Sequence, residues 1–136
     1  MKITIAAVGK LKESYWLDAQ DEYLKRLRAY ATVNVVEAKD EAALLAGIPT
    51  TSRILALDER GLQLTSLEFA AELTSDHAPL VFAIGGPDGH SDAVRDRAKL
   101  ISFGRMTIAH RLVRVVLLEQ IYRGFRIVRG EPYHRE

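Results

Sequence analysis

Hydrophobic positions along the chain change period repeatedly. Lys2–Val8 is a β-branched and apolar run closed by Gly9, which predicts a buried strand ending in a turn. From Ser14 to Tyr30 the residues Trp16, Ala19, Tyr23, Leu27 and Tyr30 recur every three or four positions, the spacing of an amphipathic helix, with Ser14 as its N-cap. Thr32–Ala38 alternates around Val33 and Val35 and reads as a second strand. Asp40–Ala46 is helix-prone until Gly47 and Pro49 stop it. The order then repeats, with strands at Arg53–Asp58 and Pro79–Ile84 about a helix over Thr65–Ser75 that Thr65 and Glu68 open as a capping box. Ser91 caps a helix running to about Lys99, Leu100–Phe103 forms a last short strand, and Leu112–Val128 forms a long final helix.

Strands alternating with helices predict a single α/β domain over residues 1–136, a mainly parallel sheet with flanking helices. Ligands in such sheets collect beyond the carboxyl ends of the strands. The final helix is apolar over most of its circumference, from Leu112 and Val113 through Leu117, Leu118 and Ile121 to Phe125 and Ile127. A helix of that kind needs cover on several sides, which in so small a domain points to a second subunit and a homodimer. A central core helix in a monomer is the other arrangement.

Composition narrows the classes further. Hydrophobic residues make up 48% of the chain, enough for an ordinary core. Nineteen basic and eighteen acidic residues leave a net charge of +1, so global charge does not mark a nucleic-acid binder. The positive field is local, with seven arginines between Arg105 and Arg135. The absence of cysteine excludes disulfide frameworks, thiolate metal sites and cysteine nucleophiles. The first residues carry no secretory cleavage pattern, and no run approaches the roughly 20 apolar residues that span a bilayer. A cytoplasmic protein without a membrane or metal requirement is the expectation.

Three stretches hold candidate chemistry. In L-V-F-A-I-G-G-P-D-G, residues 80–89, a strand runs into a glycine loop where Gly85 and Gly86 allow a ligand close to the backbone, allow a positive φ, or simply make a tight turn. The spacing is not the dinucleotide fingerprint. Residues 102–114, S-F-G-R-M-T-I-A-H-R-L-V-R, join the last strand to the last helix through backbone that regular structure does not satisfy, which suits an adenine-sized ligand or a buried crossing. His110 there is a helix-start imidazole, either a site residue or a capping or solvent-facing one. Glu119 and Arg123, four apart, form an ion pair. Gly130 and Pro132 end the helix and throw Tyr133, His134 and Arg135 into an extended tip, which either frays or stacks on an unpaired base and holds its phosphates.

The opening I-A-A-V-G-K, L-A-L-D-E-R-G at 55–61, I-G-G-P-D-G at 84–89, H-R-L-V-R at 110–114, E-Q-I-Y-R at 119–123 and the terminal P-Y-H-R-E together resemble the RlmH family, bacterial methyltransferases that modify N3 of a pseudouridine in 23S ribosomal RNA of the large subunit. The resemblance covers most of the chain. It implies the SPOUT class, whose C-terminal chain is threaded into a trefoil knot around an S-adenosylmethionine pocket; periodicity alone predicts no knot. It places that cofactor against Leu57, Gly85, Phe103, Gly104, Arg105, Met106, Thr107 and Ile108, and implies no metal. It also implies catalysis or base positioning by His110, Arg123, Tyr133, His134 and Arg135, with the tail supplied by the partner subunit. The chain is shorter than is typical of the family, between Glu37 and Arg53, and Arg111 stands where the family often has proline.

Two other functions fit parts of this pattern: a SPOUT-type methyltransferase with another RNA target, and a non-catalytic ribosome-binding factor, which would need no S-adenosylmethionine pocket. A flavodoxin-like nucleotide-binding module would need phosphate-cradling amides, and Pro87 removes one. The pseudouridine reading has the ribosome as its substrate.

Overall fold

A computed structural model describes residues 1–135. Glu136, the last position of the P-Y-H-R-E ending, lies outside the described residues. Five strands, β1 (Lys2–Val8), β2 (Thr32–Ala38), β3 (Arg53–Gln63), β4 (Leu80–Ile84) and β5 (Lys99–Ser102), alternate with five helices, α1 (Ser14–Leu27), α2 (Glu41–Ala46), α3 (Ser66–Leu73), α4 (Asp92–Arg97) and α5 (His110–Val128). The strands form one sheet in the order β2-β1-β4-β3-β5, and every pairing is parallel.

Strand side chains alternate between faces, so each strand feeds two cores. Ile3, Ile5 and Ala7 of β1 join Leu80, Phe82 and Ile84 of β4 on the side where Leu27 of α1, Phe69 and Leu73 of α3, and Leu117, Leu118 and Ile121 of α5 pack. Ala6, Val81 and Ala83 face the other side, under Leu44 of α2 and Val94 of α4. β4 is buried at every position, which is why it reads as an unbroken apolar run rather than an alternating one.

Several boundaries move for local reasons. The capping box is present, with Thr65 Oγ1 accepting from the Glu68 N–H and Glu68 accepting from the Thr65 N–H, and Ser91 accepts from the Val94 N–H as expected. Ser14, however, is the first helical residue of α1 and not its cap. Glu13 holds that position without a side-chain cap bond, its carboxylate lying 3.4 Å from Arg111. α1 ends at Leu27, though Tyr30 still stacks on Phe125 with ring centres 5.5 Å apart. α5 starts at His110, two residues before the expected Leu112. Its buried stripe is Arg114, Leu117, Leu118, Ile121, Gly124 and Phe125, while Leu112 and Val128 remain exposed.

The largest departure is β3, which does not stop at Asp58. Leu57 pairs with Ile101, residues 58–61 loop out, and Leu62 returns to pair with Ile101 again. Gly61 makes this possible: a Cβ there would lie 2.6 Å from the Ile101 nitrogen and 2.7 Å from the Leu100 carbonyl carbon, both backbone atoms. No helix among the described residues is long and apolar enough to cross a membrane.

Because the clash is with backbone that cannot rotate away, Gly61→Ala is expected to destabilise the fold by about 2 kcal/mol or more. Urea unfolding of both proteins checks this. An unchanged midpoint would mean that β3 does not return across β5.

Candidate active site

All strands run the same way, so the turns after β3, β4 and β5 emerge on one edge and meet across a cleft of about 620 Å³. That volume is in the range of small-molecule sites. Its walls are apolar, from Leu57, Ile84, Ile101, Phe103, Ile108 and Val113. Of the residues that the resemblance assigns to the cofactor, Leu57, Gly85, Phe103, Gly104, Met106, Thr107 and Ile108 line this cleft; Arg105 is exposed and does not. Among the described residues the peptide groups of 105–108 make no hydrogen bond to other backbone, leaving amides and carbonyls at the mouth. An apolar slot bordered by uncommitted backbone fits a ligand with a purine-like ring and polar edges.

The glycines divide their work differently from the expected pattern. Positive φ falls at Gly89 (75°) and Gly104 (127°), not at Gly85 or Gly86. Gly85 is bare for the turn's own sake: a Cβ there would sit 2.9 Å from the carbonyl carbon of Gly89, which folds back to donate to the Gly86 carbonyl at 2.9 Å. At Gly104 a Cβ would meet nothing within 4 Å. Gly104 is therefore required for its φ and leaves open space where a side chain would stand, whereas a side chain at Gly85 would disrupt the turn.

The cleft rim holds residues not assigned from sequence. The Asp58 side chain is buried, though the residue as a whole is only partly so; burial pushes its pKa up, but the Arg60 N–H at 2.8 Å and the Arg95 guanidinium at 3.1 Å outweigh this and hold the carboxyl below its usual range. Arg60 and Arg95 line the cleft with it. The available signal was D-E-R-G directly after a strand, where an α/β sheet binds ligands. His110 also lines the cleft. Its Nε2 lies 3.1 Å from the Val8 carbonyl, and since a carbonyl only accepts, Nε2 carries the proton.

Arg123, Tyr133 and His134 lie at the far end of α5, about 20 Å from His110 by the rise of an α-helix. There the tail is not the extended tip expected from Gly130 and Pro132. Tyr133 folds back to donate to Glu119 at 3.2 Å, packs edge-on against Tyr122, and lies under the Arg123 guanidinium at 4.7 Å. Arg126 donates to the Pro132 carbonyl at 2.6 Å, and Arg123 donates to His134 Nδ1 at 3.1 Å. Arg135 is exposed. Glu119 organises the group, taking two bonds from Arg123 (3.0 and 2.6 Å) as well as that of Tyr133. The spacing predicted its pair with Arg123 but not its hold on the tail. Arg126 pairs with Glu131 at 3.0 Å. Among the described residues no group of three or more histidine, aspartate or glutamate side chains could hold a metal ion.

Residues 1–134 match a family profile described as "Predicted SPOUT methyltransferase". The chain is 46% identical over 159 aligned positions to the ribosomal RNA large subunit methyltransferase H of Listeria monocytogenes serotype 4b (strain F2365), covering 99% of this chain and 100% of that one. The same-named protein of Geobacter sp. (strain M21) is 44% identical over 154 positions, with both chains fully covered. Among solved structures, a probable methylase family protein from Haemophilus influenzae Rd KW20 superposes with a TM-score of 0.64 at 11% identity, covering 98% of this chain and 70% of that one. A protein studied for 2-OH methylation of C/U34 on tRNA gives 0.55 at 12% identity, covering 96% and 99%. At such identities the two structures speak for the fold alone.

The docked tail has a titration signature. Burial first, then the neighbouring Glu119 and Tyr23, pushes the Tyr133 phenol up to about 12 from its ordinary value of 10.0. A group whose folded pKa is raised contributes stability fully below its unfolded pKa, and that contribution fades as pH rises through the folded one. The difference in ultraviolet titration between the parent protein and Tyr133→Phe is therefore expected to show one phenol ionising near pH 12. A difference step near 10 would mean that the tail is undocked.

Proposed function

The chain belongs to the SPOUT methyltransferase family, and on that premise we propose that it is an S-adenosylmethionine-dependent methyltransferase acting on N3 of a pseudouridine in 23S ribosomal RNA, on the assembled ribosome, as a cytoplasmic homodimer. The observation that carries this reading is the apolar cleft at the strand ends, bordered by the unbonded backbone of 105–108, in a chain whose relatives at 44–46% identity are matched over their whole length and named for large-subunit ribosomal RNA methylation. The trefoil threading implied by the class is consistent with Gly61 seated on the backbone of β5 where β3 returns across it.

When bound, S-adenosylmethionine supplies a methyl group on a sulfonium centre. Leu57, Ile84, Phe103 and Ile108 would take its rings and carbon chain, and Gly104 with the free peptide groups of 105–108 would meet its polar edges. His110 stands at the same cleft. The nucleophile would be a pyrimidine N3: its bond to the methyl carbon would form as the carbon–sulfur bond breaks to leave a neutral thioether, with the N3 proton passing to water, so cationic donors near the base stabilise the developing anion. Arg123, His134 and Arg135 supply such donors. Tyr133, held neutral far above physiological pH and with its proton given to Glu119, borders the base as apolar surface rather than as a proton acceptor.

These two groups lie about 20 Å apart along one α5, too far to act together on one methyl group. A second copy placing its tail over the first copy's cleft resolves the separation, and Met106, 85% exposed on the cleft, with exposed Leu112 offers apolar surface for it.

Labelled methyl transfer from S-adenosylmethionine to free 23S ribosomal RNA, isolated large subunits and whole ribosomes, followed by mass-spectrometric mapping, tests this function. Methyl label on one large-subunit nucleotide is expected, most from the assembled particle; label only on another RNA would reassign the target, and no cofactor binding would leave a ribosome-binding factor. Truncation of residues 133–136 is expected to leave S-adenosylmethionine affinity by calorimetry nearly intact while transfer falls about a hundredfold. Light scattering at micromolar concentration is expected to give a dimer. A persistent monomer, or a truncated protein that methylates normally, would remove the tail from the active site.

A further inference from the structure

α5 begins at the cleft, so whatever holds its first turns also holds the segment 103–109 that leads into it. His110 and Arg114 are four residues apart and share one face of the helix. Both reach the turn after β1: His110 Nε2 meets the Val8 carbonyl at 3.1 Å, and Arg114 Nη2 donates to the Gly9 carbonyl at 3.4 Å. Arg114 is only 2% exposed, and a guanidinium so buried requires an anion. Glu37 in β2 supplies it. Its Oε2 accepts from Arg114 Nη1 at 2.7 Å and from the Leu11 N–H at 2.9 Å, while Gln20 of α1 takes a second bond from Nη1 at 3.4 Å.

Three other parts of the chain thus converge on one buried cation of α5, and Arg114, Glu37 and Gln20 do not line the cleft. A buried ion pair is weak support for stability in itself, because apolar residues of similar volume often serve as well. Here, however, the pair also holds main-chain atoms of the turn 8–11, Arg114 through the Gly9 carbonyl and Glu37 through the Leu11 N–H. Within that turn Gly9 sits at φ 95°, and a Cβ there would lie 3.9 Å from His110 Nε2, so the turn and the start of α5 are in direct contact.

We propose that Arg114, paired with Glu37, is a positioning residue for methyl transfer: it locks the turn 8–11 to the first two turns of α5 and so sets where His110 and the segment 103–109 stand. The role rests on the methyltransferase reading, since the cleft has reacting groups to position only if that reading holds. Arg114 and Glu37 act through His110 and the cleft backbone.

The test uses the full-length protein and two variants. Glu37→Gln keeps the side-chain shape and removes the charge; Arg114→Lys keeps the charge and removes the planar fork. Both are expected to fold at the assay temperature by circular dichroism, with kcat for methylation of ribosomes reduced roughly tenfold or more and KM for ribosomes little changed, since small misplacements at a reacting centre cost rate rather than binding. Nitrogen-edited NMR of the free protein, with the His110 imidazole assigned from His110→Asn, is expected to show that signal displaced in both variants. A purely structural pair would lower the melting temperature and leave both readouts alone. Parent-like kcat in either folded variant, an unmoved His110 signal, or failure of both to fold would overturn the proposal. If the parent protein transfers no methyl group, the functional reading fails instead, and the His110 signal still decides whether the clamp exists.

Discussion

β4 is walled by side chains on both faces and by β1 and β3 on both edges, so its direction is shared by every other strand in the sheet. Parallel pairing then forces the turns after β3, β4 and β5 to one edge, where polar backbone without sheet partners has to be accommodated. The protein meets that demand with glycines and short side-chain bonds. Gly85 lets the turn after β4 fold on itself, Ser102 Oγ accepts from the Gly104 N–H at 3.1 Å, and Asp58 caps the Arg60 N–H at 2.8 Å. The segment 105–108 is left without such compensation, its peptide groups bonded to no other backbone among the described residues.

α5 carries the second constraint. Its buried stripe is held between α1 and α3, so the helix acts as a stiff rod with different chemistry at each end. At the start, His110 and Arg114 engage the turn after β1. At the end, an arginine and tyrosine layer surrounds Glu119 and folds the tail down onto the helix. Most of the arginines in the last third of the chain are already committed to carboxylates or ring faces, including Arg114, Arg123, Arg126 and Arg129. The basic field seen in the sequence is thus largely internal bonding, with Arg105 and Arg135 among the exposed remainder.

Much of the fold was legible because its signals are local. Capping residues Thr65 and Ser91, the unbroken apolar run of β4 and the glycine that follows each reflect a preference acting within a few residues. The extension of β3 was not, because nothing between Asp58 and Gln63 alternates; what orders it is Ile101, far along the chain. The docked tail escaped for a similar reason. Gly130 and Pro132 do end the helix, but the fate of Tyr133 depends on Glu119 and Tyr122, two turns or more back along α5. In the site, Leu57, Gly85 and 103–108 were implied by the family resemblance, in stretches at or beyond strand ends, whereas Asp58 with Arg95 and the Arg114–Glu37 pair join distant segments that no spacing rule connects.

The double pairing of β3 with Ile101 also bears on how the chain is made. Residues 62 and 63 have no sheet partner until Ile101 and Ser102 exist, so a nascent chain emerging in order must leave the end of β3 waiting through the synthesis of α3, β4 and α4. Contacts of such sequence separation form slowly, because the intervening loop must close before they return any free energy. The charged and polar residues around Leu62, from Asp58 to Arg60 and at Gln63, keep that waiting segment from being a sticky strand. Completion of the cleft thereby waits on Ile101 and Ser102, which close the return of β3.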